Sequence, residues 1–378
     1  MSADSRQVDG GTRTGPSSVG LVHDYLLVSR GAERTFEAIA AIWPEAPIYA
    51  LLYDPEGVEG AFADRQVVTS FLQRWGVDQR GFRRLLPLFP LAISRLELAA
   101  HDLVVSSSSA FAHGVHVPDG ATHICYCHSP FRYAWHERAR ALEEVARPLR
   151  PALRLVLAML RRWDLAAASR VTHYVANSEI TRRRIEQTYG RCSRVVHPPV
   201  EVERFKPGAP EDYFLIVTEL VSHKQVDVAL EAARRARRPI RVVGEGPEME
   251  RLRSGAGKEA EFLGRVSHPD LARLYAGAAA FVMPNVEEFG IAAVEAMASG
   301  RPVIAAAAGG ALETVVDDEV GILVPPGDVD RLAAAMAALD PGGFSPERIR
   351  RHAESFSKEA FQQRFRSEVE RLLSCRPG

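Results

Sequence analysis

The chain alternates short apolar runs with stretches of helical periodicity, stops at a proline-rich passage, and then begins the same alternation again. VGLVHDY, a helical stretch over about residues 31 to 42, APIYALLY, DLVVSSSS, THICYCH and THYVANS form the first series. DYFLIVTEL, PIRVVGEG, AEFLGRV, AAAFVMP, RPVIAAAA and VGILVPP form the second, each followed by a helical stretch. Apolar runs linked by amphipathic helices are the pattern of a parallel sheet covered on its faces. The passage between the series, VVHPPVEVERFKPGAP, holds two adjacent prolines that can neither continue a helix nor donate to a sheet. The reading is an α/β protein of two Rossmann-like parallel-sheet domains. The first covers residues 19–195, the linker 196–210 and the second domain 211–355. A length of 378 residues fits two cores better than one.

The two ends read differently from the body. Residues 1–18 are polar and rich in Gly and Ser, without the apolar core of a secretory signal, and are expected to form a disordered tail. At the other end, SKEAFQQRFRSEVERLL places Ser357 as a helix cap and Phe361, Phe365 and Val369 on one face. Residues 356–378 are therefore read as a final helix, either an ordinary member of the second domain or one that packs elsewhere.

Composition narrows the function classes. A net charge of -1 argues against nucleic acid as a partner. Four cysteines form neither a disulfide framework nor paired CxxC motifs, so zinc is not expected; Cys125 and Cys127 read as small packing residues of a strand. No apolar run is long enough to cross a membrane. The expected location is the cytoplasm.

The most informative stretch is EEFGIAAVEAMASG, residues 287 to 300, which lies between the apolar runs AAAFVMP and RPVIAAAA. Strand, loop, helix, strand is the order, so the loop sits at the carboxyl end of a strand, where open α/β sheets bind ligands. The N–H groups opening the following helix make an anion site. Glu287 and Glu295, with seven residues between them, can hold hydroxyl groups while the helix start holds a phosphate. A ligand with both is a nucleotide sugar. The bland reading of each glutamate is a charge partner at a helix end.

EEFGIAAVEAMASGRPVIA, with GGALETV and GILVPPGD after it, resembles the E-x7-E region of glycosyltransferase family 4. LVHDYLLVSRGAERTFEAIA, ICYCHSPFRYAW, YVANSEITRRRI, VVHPPVEVERF and VVGEGPE extend the likeness over most of the chain. They resemble the subgroup that builds bacterial polysaccharide, often as mannosyltransferases. The resemblance implies a GT-B fold, with two domains facing across a cleft and the C-terminal helix crossing back to the first. It also implies a retaining, metal-independent hexosyltransferase without a cofactor. GDP-mannose is the favoured donor, UDP-glucose or another hexose donor the runner-up, and a saccharide or lipid-linked saccharide the acceptor. A binding protein with little transfer activity and a sugar-nucleotide epimerase are the rivals.

The resemblance also carries site residues. His128 matches the histidine beside the reacting sugar, and Glu287 would bind that sugar's hydroxyls. Lys224 would contact the diphosphate, and Phe289, Gly290 and Ile291 would act through backbone N–H groups. Glu295 would take the ribose diol, with Arg265 and Val266 bordering the base. Two positions depart from the family. Relatives commonly carry Gly-Arg where this chain has Thr218-Glu219, and two glycines where it has Arg30-Gly31. Gly31 keeps one close backbone approach. Arg30 could block the pocket, point outward, or supply the cation that position 219 lacks, and in a closed cleft it could pair with Glu219. The acidic pairs Asp317-Asp318 and Asp328/Asp330 are the only metal-ligand candidates and lie beside expected helix starts, where capping explains them.

Two basic amphipathic segments bear on a membrane surface. RPLRPALRLVLAMLRRW, residues 147 to 163, puts Leu153, Val156, Leu157, Leu160 and Trp163 on one face with Arg150, Arg154 and Arg161 along its margin; residues 82 to 93 are similar. Core packing explains such a stripe as well as lipid does. On lipid, the protein would sit peripherally at the inner membrane face.

Overall fold

The computed structural model describes residues 18–76, 81–143 and 145–374. The tail expected over 1–18 lies outside these residues except for Ser18, and Cys375 lies outside as well.

Among the described residues thirteen strands form two parallel sheets. The first holds β1 (Val19–His23), β2 (Ile48–Ala50), β3 (Val67–Thr69), β4 (Leu103–Ser108), β5 (Thr122–Cys127), β6 (His173–Ala176) and β7 (Ser193–Val195), in the order β3-β2-β1-β4-β5-β6-β7. The second holds β8 (Phe214–Val217), β9 (Ile240–Val243), β10 (Ala260–Gly264), β11 (Ala280–Met283), β12 (Val303–Ala306) and β13 (Gly321–Val324), in the order β10-β9-β8-β11-β12-β13. In both, the order reverses beside the first strand, between β1 and β4 and between β8 and β11. Loops diverge there and leave a crevice. The central strands are buried on both faces, so β11 reads as an unbroken apolar run and β4 as an apolar start followed by serines. The two strands absent from the sequence reading, β3 and β7, are three-residue edge strands whose half-buried side chains leave no apolar run to detect.

The C-terminal helix, Lys358–Ser374, returns to the first sheet. Its Phe361, Phe365, Val369 and Leu372 pack in one cluster with Leu21, Phe36, Ile39 and Tyr126. Each buried side chain of this kind contributes roughly 1.5–3 kcal/mol gross. Gln362 donates to the Ala38 carbonyl at 2.9 Å, and the Ser357 hydroxyl accepts the Ala360 N–H at 3.2 Å. The outgoing and returning chain run side by side where Val200 bridges Ser357 and its N–H donates to the Phe356 carbonyl at 2.8 Å.

The helix Arg150–Ala168 uses the stripe read from sequence for the core: Leu157 and Leu160 are buried, with Leu153, Val156 and Trp163 packed against the same cluster. Trp135 donates to the buried Asp164 at 2.7 Å, and Arg161 lies over the Trp135 ring, 4.3 Å from its centroid. A second apolar set, Leu149, Leu155, Met159 and Leu165, faces outward. In the segment 82 to 93, Phe82, Leu85, Leu86 and Leu88 pack against this cluster too, while Leu91 is exposed. Among the described residues no helix is long and apolar enough to cross a membrane.

Candidate functional site

The crevices of the two sheets face each other, and two cavities fill the space between them. The first, of ≈ 340 Å³, is lined by Gly31, His128, Arg132 and Asn177 from one side and by Lys224, Glu287, Glu288, Phe289, Gly290 and Ile291 from the other. The second, of ≈ 600 Å³, is lined by Arg30, Gly31 and Arg34 on one side and by Glu219, Arg265, Val266, Ile291 and Glu295 on the other. Gly31, Val217, Thr218, Ile291 and Ala292 border both, so the cavities are continuous. Every site residue read from sequence lines one of them.

On the first domain's side His128 and Asp24 are buried and bonded within the protein. His128 follows β5, and its Nε2 lies 2.9 Å from the Ser107 hydroxyl of β4. Burial, with His23 nearby, lowers its pKa to about 3, so the imidazole is neutral near pH 7. It can hydrogen-bond a sugar but does not start as an acid. Asp24, which follows β1 and was not singled out in the sequence, anchors this wall. Its carboxylate accepts the N–H groups of Ser109, Ala110, Phe111 and Ala112 at 2.6, 3.0, 2.8 and 2.5 Å. The Ser108 hydroxyl adds a fifth contact at 3.3 Å. The three serines that end β4 therefore remain buried because Ser106, Ser107 and Ser108 each meet a partner: His123, His128 and Asp24. That run was the available signal, since hydroxyls in a central strand require partners.

The second domain presents charges on loops. Lys224 follows β8 and pairs with Glu287 after β11, Nζ to Oε1 at 2.5 Å, while Asn285 donates to the same oxygen at 2.9 Å. Gly290, at φ 92°, starts the helix Ile291–Ala298, and the N–H groups of Phe289, Gly290 and Ile291 find no acceptor among the described residues. Glycines let the supporting loops touch: a Cβ at Gly310 would stand 2.3 Å from the Phe289 Cα, and one at Gly31 would stand 2.9 Å from Ile291 Cδ1 across the cleft. The Phe289 side chain is buried against His197 and Phe356. Glu295 is buried, accepts the Tyr275 hydroxyl at 2.9 Å and lies 4.0 Å from Arg34; burial raises its pKa.

Two expectations are corrected. Arg30 and Glu219 border the same cavity, yet both are exposed and no ion pair joins them. Arg30 sits where the helix Gly31–Ala40 begins, its N–H donating to Glu33 at 3.2 Å, and its side chain is exposed, as in the outward reading. Asp317-Asp318 does not open a helix; Asp317 accepts the Leu323 N–H at 2.9 Å in the turn leading into β13. Asp328 does cap a helix, accepting the Arg331 N–H at 2.9 Å. Among the described residues, no group of three or more His, Cys, Asp or Glu could hold a metal ion.

The sequence reading also passed over Arg132, Arg184, Glu288, His197 and Glu313, which join the two walls. Glu288 lies 3.7 Å from Arg132 and bonds Arg184; Glu313 lies 2.8 Å from His197. These contacts span 104 or more residues for Arg184 and Glu313, so no local pattern announces them.

Known proteins match on both halves. Residues 29–204 match the family model described as Glycosyltransferase Family 4, and residues 200–356 match Glycosyl transferases group 1. A Corynebacterium glutamicum protein named GDP-mannose-dependent monoacylated alpha-(1-6)-phosphatidylinositol monomannoside mannosyltransferase is 32% identical over 43% of this chain and 51% of its own. A Mycobacterium avium D-inositol 3-phosphate glycosyltransferase is 35% identical over 38% of this chain and 40% of its own. The matched segments thus span about half the length of these relatives or less. Among solved structures, a sucrose-phosphate synthase from Thermosynechococcus elongatus aligns with a TM-score of 0.73 at 18% identity, covering 94% of this chain and 99% of that one. Anabaena HepE in complex with UDP-glucose aligns at 0.67 and 18%, covering 93% and 99%. These likenesses concern the fold, two parallel-sheet domains with a C-terminal helix crossing back, which is the GT-B arrangement. With its two halves matched in order, the chain belongs to glycosyltransferase family 4.

Proposed function

We propose that this glycosyltransferase is a retaining, metal-independent hexosyltransferase that moves mannose from GDP-mannose to a saccharide or lipid-linked saccharide in bacterial glycan assembly. The observation that carries the reading is the meeting of Glu287 and Lys224 from one sheet with His128 from the other in one cavity, continuous with a larger one holding Glu295. A nucleotide sugar is a ligand of two parts joined by a diphosphate. The sugar suits the first cavity and the nucleoside the second.

The diphosphate would then cross the shared strip, beside Gly31 and the free N–H groups of Phe289, Gly290 and Ile291. Those donors are fixed before charge develops on the leaving phosphate, the arrangement that lowers a barrier of this kind. Phosphate competes with Glu287 for Lys224, which frees the carboxylate for sugar hydroxyls. Neutral His128 offers a hydrogen bond to the sugar. The bond from the anomeric carbon to the bridging phosphate oxygen breaks, its electron pair leaving with the diphosphate, as the acceptor oxygen bonds on the same face, and the acceptor's proton passes to the departing phosphate. Glu295 accepts from the ribose diol, and Arg265 and Val266 border the base.

The mannosyltransferase relatives support GDP-mannose. The UDP-glucose bound to HepE supports the alternative donor. Turnover of purified protein with each donor in excess EDTA, read as released nucleoside diphosphate, tests the proposal: activity with neither would refute transfer, and loss restored by magnesium or manganese would refute metal independence. On the acceptor side, the outward set Leu149, Leu155, Met159 and Leu165 beside exposed Arg154 and Arg162 suits an anionic membrane surface, which co-sedimentation with anionic against neutral vesicles checks.

A further inference from the structure

The helix Glu179–Tyr189 touches both walls of the cleft, and none of the donor-binding residues lies on it. Ser178 caps its start, and Thr181, one turn in, donates its hydroxyl to the backbone carbonyl of His128 at 3.1 Å. Arg184, three residues further and so on the same face, bonds the carboxylate of Glu288. Glu288 is the immediate neighbour of Glu287. The same helix thus holds the histidine of one wall and, through one ion pair, the loop that bears the sugar-side carboxylate of the other.

A second carboxylate grips the helix at its start. Both oxygens of Glu313 accept the Glu179 N–H at 2.9 Å, and His197 Nε2 lies 2.8 Å from the second. Glu313 belongs to the segment that begins at Gly310, whose N–H donates to the Glu287 carbonyl at 2.8 Å. The Glu287 loop is therefore tied to this helix from both sides. The adjacent carboxylates divide their cations: Glu287 takes Lys224 from its own domain, while Glu288 takes Arg184 across the cleft, with Arg132 at 3.7 Å and His136 at 4.0 Å. A ligand that displaces the Lys224–Glu287 pair leaves the Glu288 clasp intact.

We infer that Arg184 and Glu288 are a positioning pair for the transfer. They fix the Glu287 loop against the helix that holds His128, so that carboxylate and imidazole meet one sugar in a set geometry. The inference rests on the transferase reading above. Neither residue lines the cavity assigned to the nucleoside, so the pair acts on the reacting end of the donor and not on its base.

The test is a double-mutant cycle of R184A and E288A, with E288Q in place of E288A should the alanine variant not fold. Donor turnover is measured with whichever of GDP-mannose and UDP-glucose the wild type consumes, and affinity for the corresponding free nucleoside diphosphate is measured by calorimetry. The expected result is a fall in kcat of about tenfold or more for each single variant, diphosphate affinity within about twofold of wild type, and a double variant no slower than the slower single. E288D, which keeps the charge, should recover part of kcat. Single variants with wild-type kcat, losses that multiply in the double variant, or diphosphate affinity falling in step with kcat would overturn the pair's role. Failure of the transferase reading itself looks different, since the wild type would then consume neither donor.

Discussion

The two walls of the cleft are built in opposite ways. The first domain's wall is anchored by buried polar groups bonded within the domain: Asp24 on four N–H groups of the segment after β4, and His128 on the Ser107 hydroxyl of β4. The second domain's wall is a set of loop charges, with Lys224 on Glu287 and N–H groups that have no acceptor among the described residues. Groups satisfied within the protein cannot exchange partners without loss of fold, whereas a charged pair at a cavity edge can surrender its partner to a ligand. The first wall is a template and the second a grip.

Asp24→Ala breaks the template where it is most concentrated. It strands four backbone donors in a buried site and is expected to cost about 3–5 kcal/mol of stability, read from chemical denaturation. A loss no greater than that of an exposed substitution would remove the distinction between the walls. The mirror-image change is Glu287→Ala, where stability should stay within about 1 kcal/mol while donor turnover falls by roughly a thousandfold, about 4 kcal/mol of transition-state stabilisation. Turnover close to wild type would take Glu287 out of the sugar site.

Acid sharpens the comparison. His23, His123 and His128 all belong to the first domain and are held neutral by burial, each with its pKa lowered to about 3. A depressed folded-state pKa means that the unfolded chain binds the proton more readily, so this stability is complete above about pH 6.5 and is lost as pH falls toward 3. Two carboxylates act in the other direction: burial raises Glu33 to about 7 and also raises Glu295. The net expectation is a loss of about 2–4 kcal/mol between pH 7 and pH 5, led by the first domain. Hydrogen exchange followed against pH would show whether β1, β4 and β5 open before β8 and β11, and the reverse order would contradict the template picture.

The smallest expected effect lies in the second wall. Glu295→Ala should weaken the free nucleoside diphosphate by about 1.5–3 kcal/mol, the range for a hydrogen bond to a charged group. Calorimetric affinity equal to wild type would mean that the Tyr275–Glu295 bond is structural only.

Much of the fold was legible because it repeats a local pattern. Parallel strands of a covered sheet carry short apolar runs, so β1, β2, β4, β5 and β6 and all six strands of the second sheet stand out, and Pro198-Pro199 interrupts the first series. β3 and β7 escaped because an edge strand needs neither length nor an apolar run. The residues singled out at the site were legible for a related reason. Loops at strand ends combine glycines with charges, and their order along the chain resembles that of a family.

What only the tertiary structure decided is which charges answer one another. The expected partnership of Arg30 with Glu219 is replaced by Arg184 with Glu288 and His197 with Glu313, because a salt bridge depends on the directions of side chains from elements far apart in sequence. Likewise the stripe on Arg150–Ala168 had two readings until packing showed one face in the core and a second apolar set turned outward. Periodicity records which faces of an element are apolar, and each strand's burial follows from its own residues. The partner of a charge, and the surface a helix covers, are properties of two elements at once and arise only when the chain has closed.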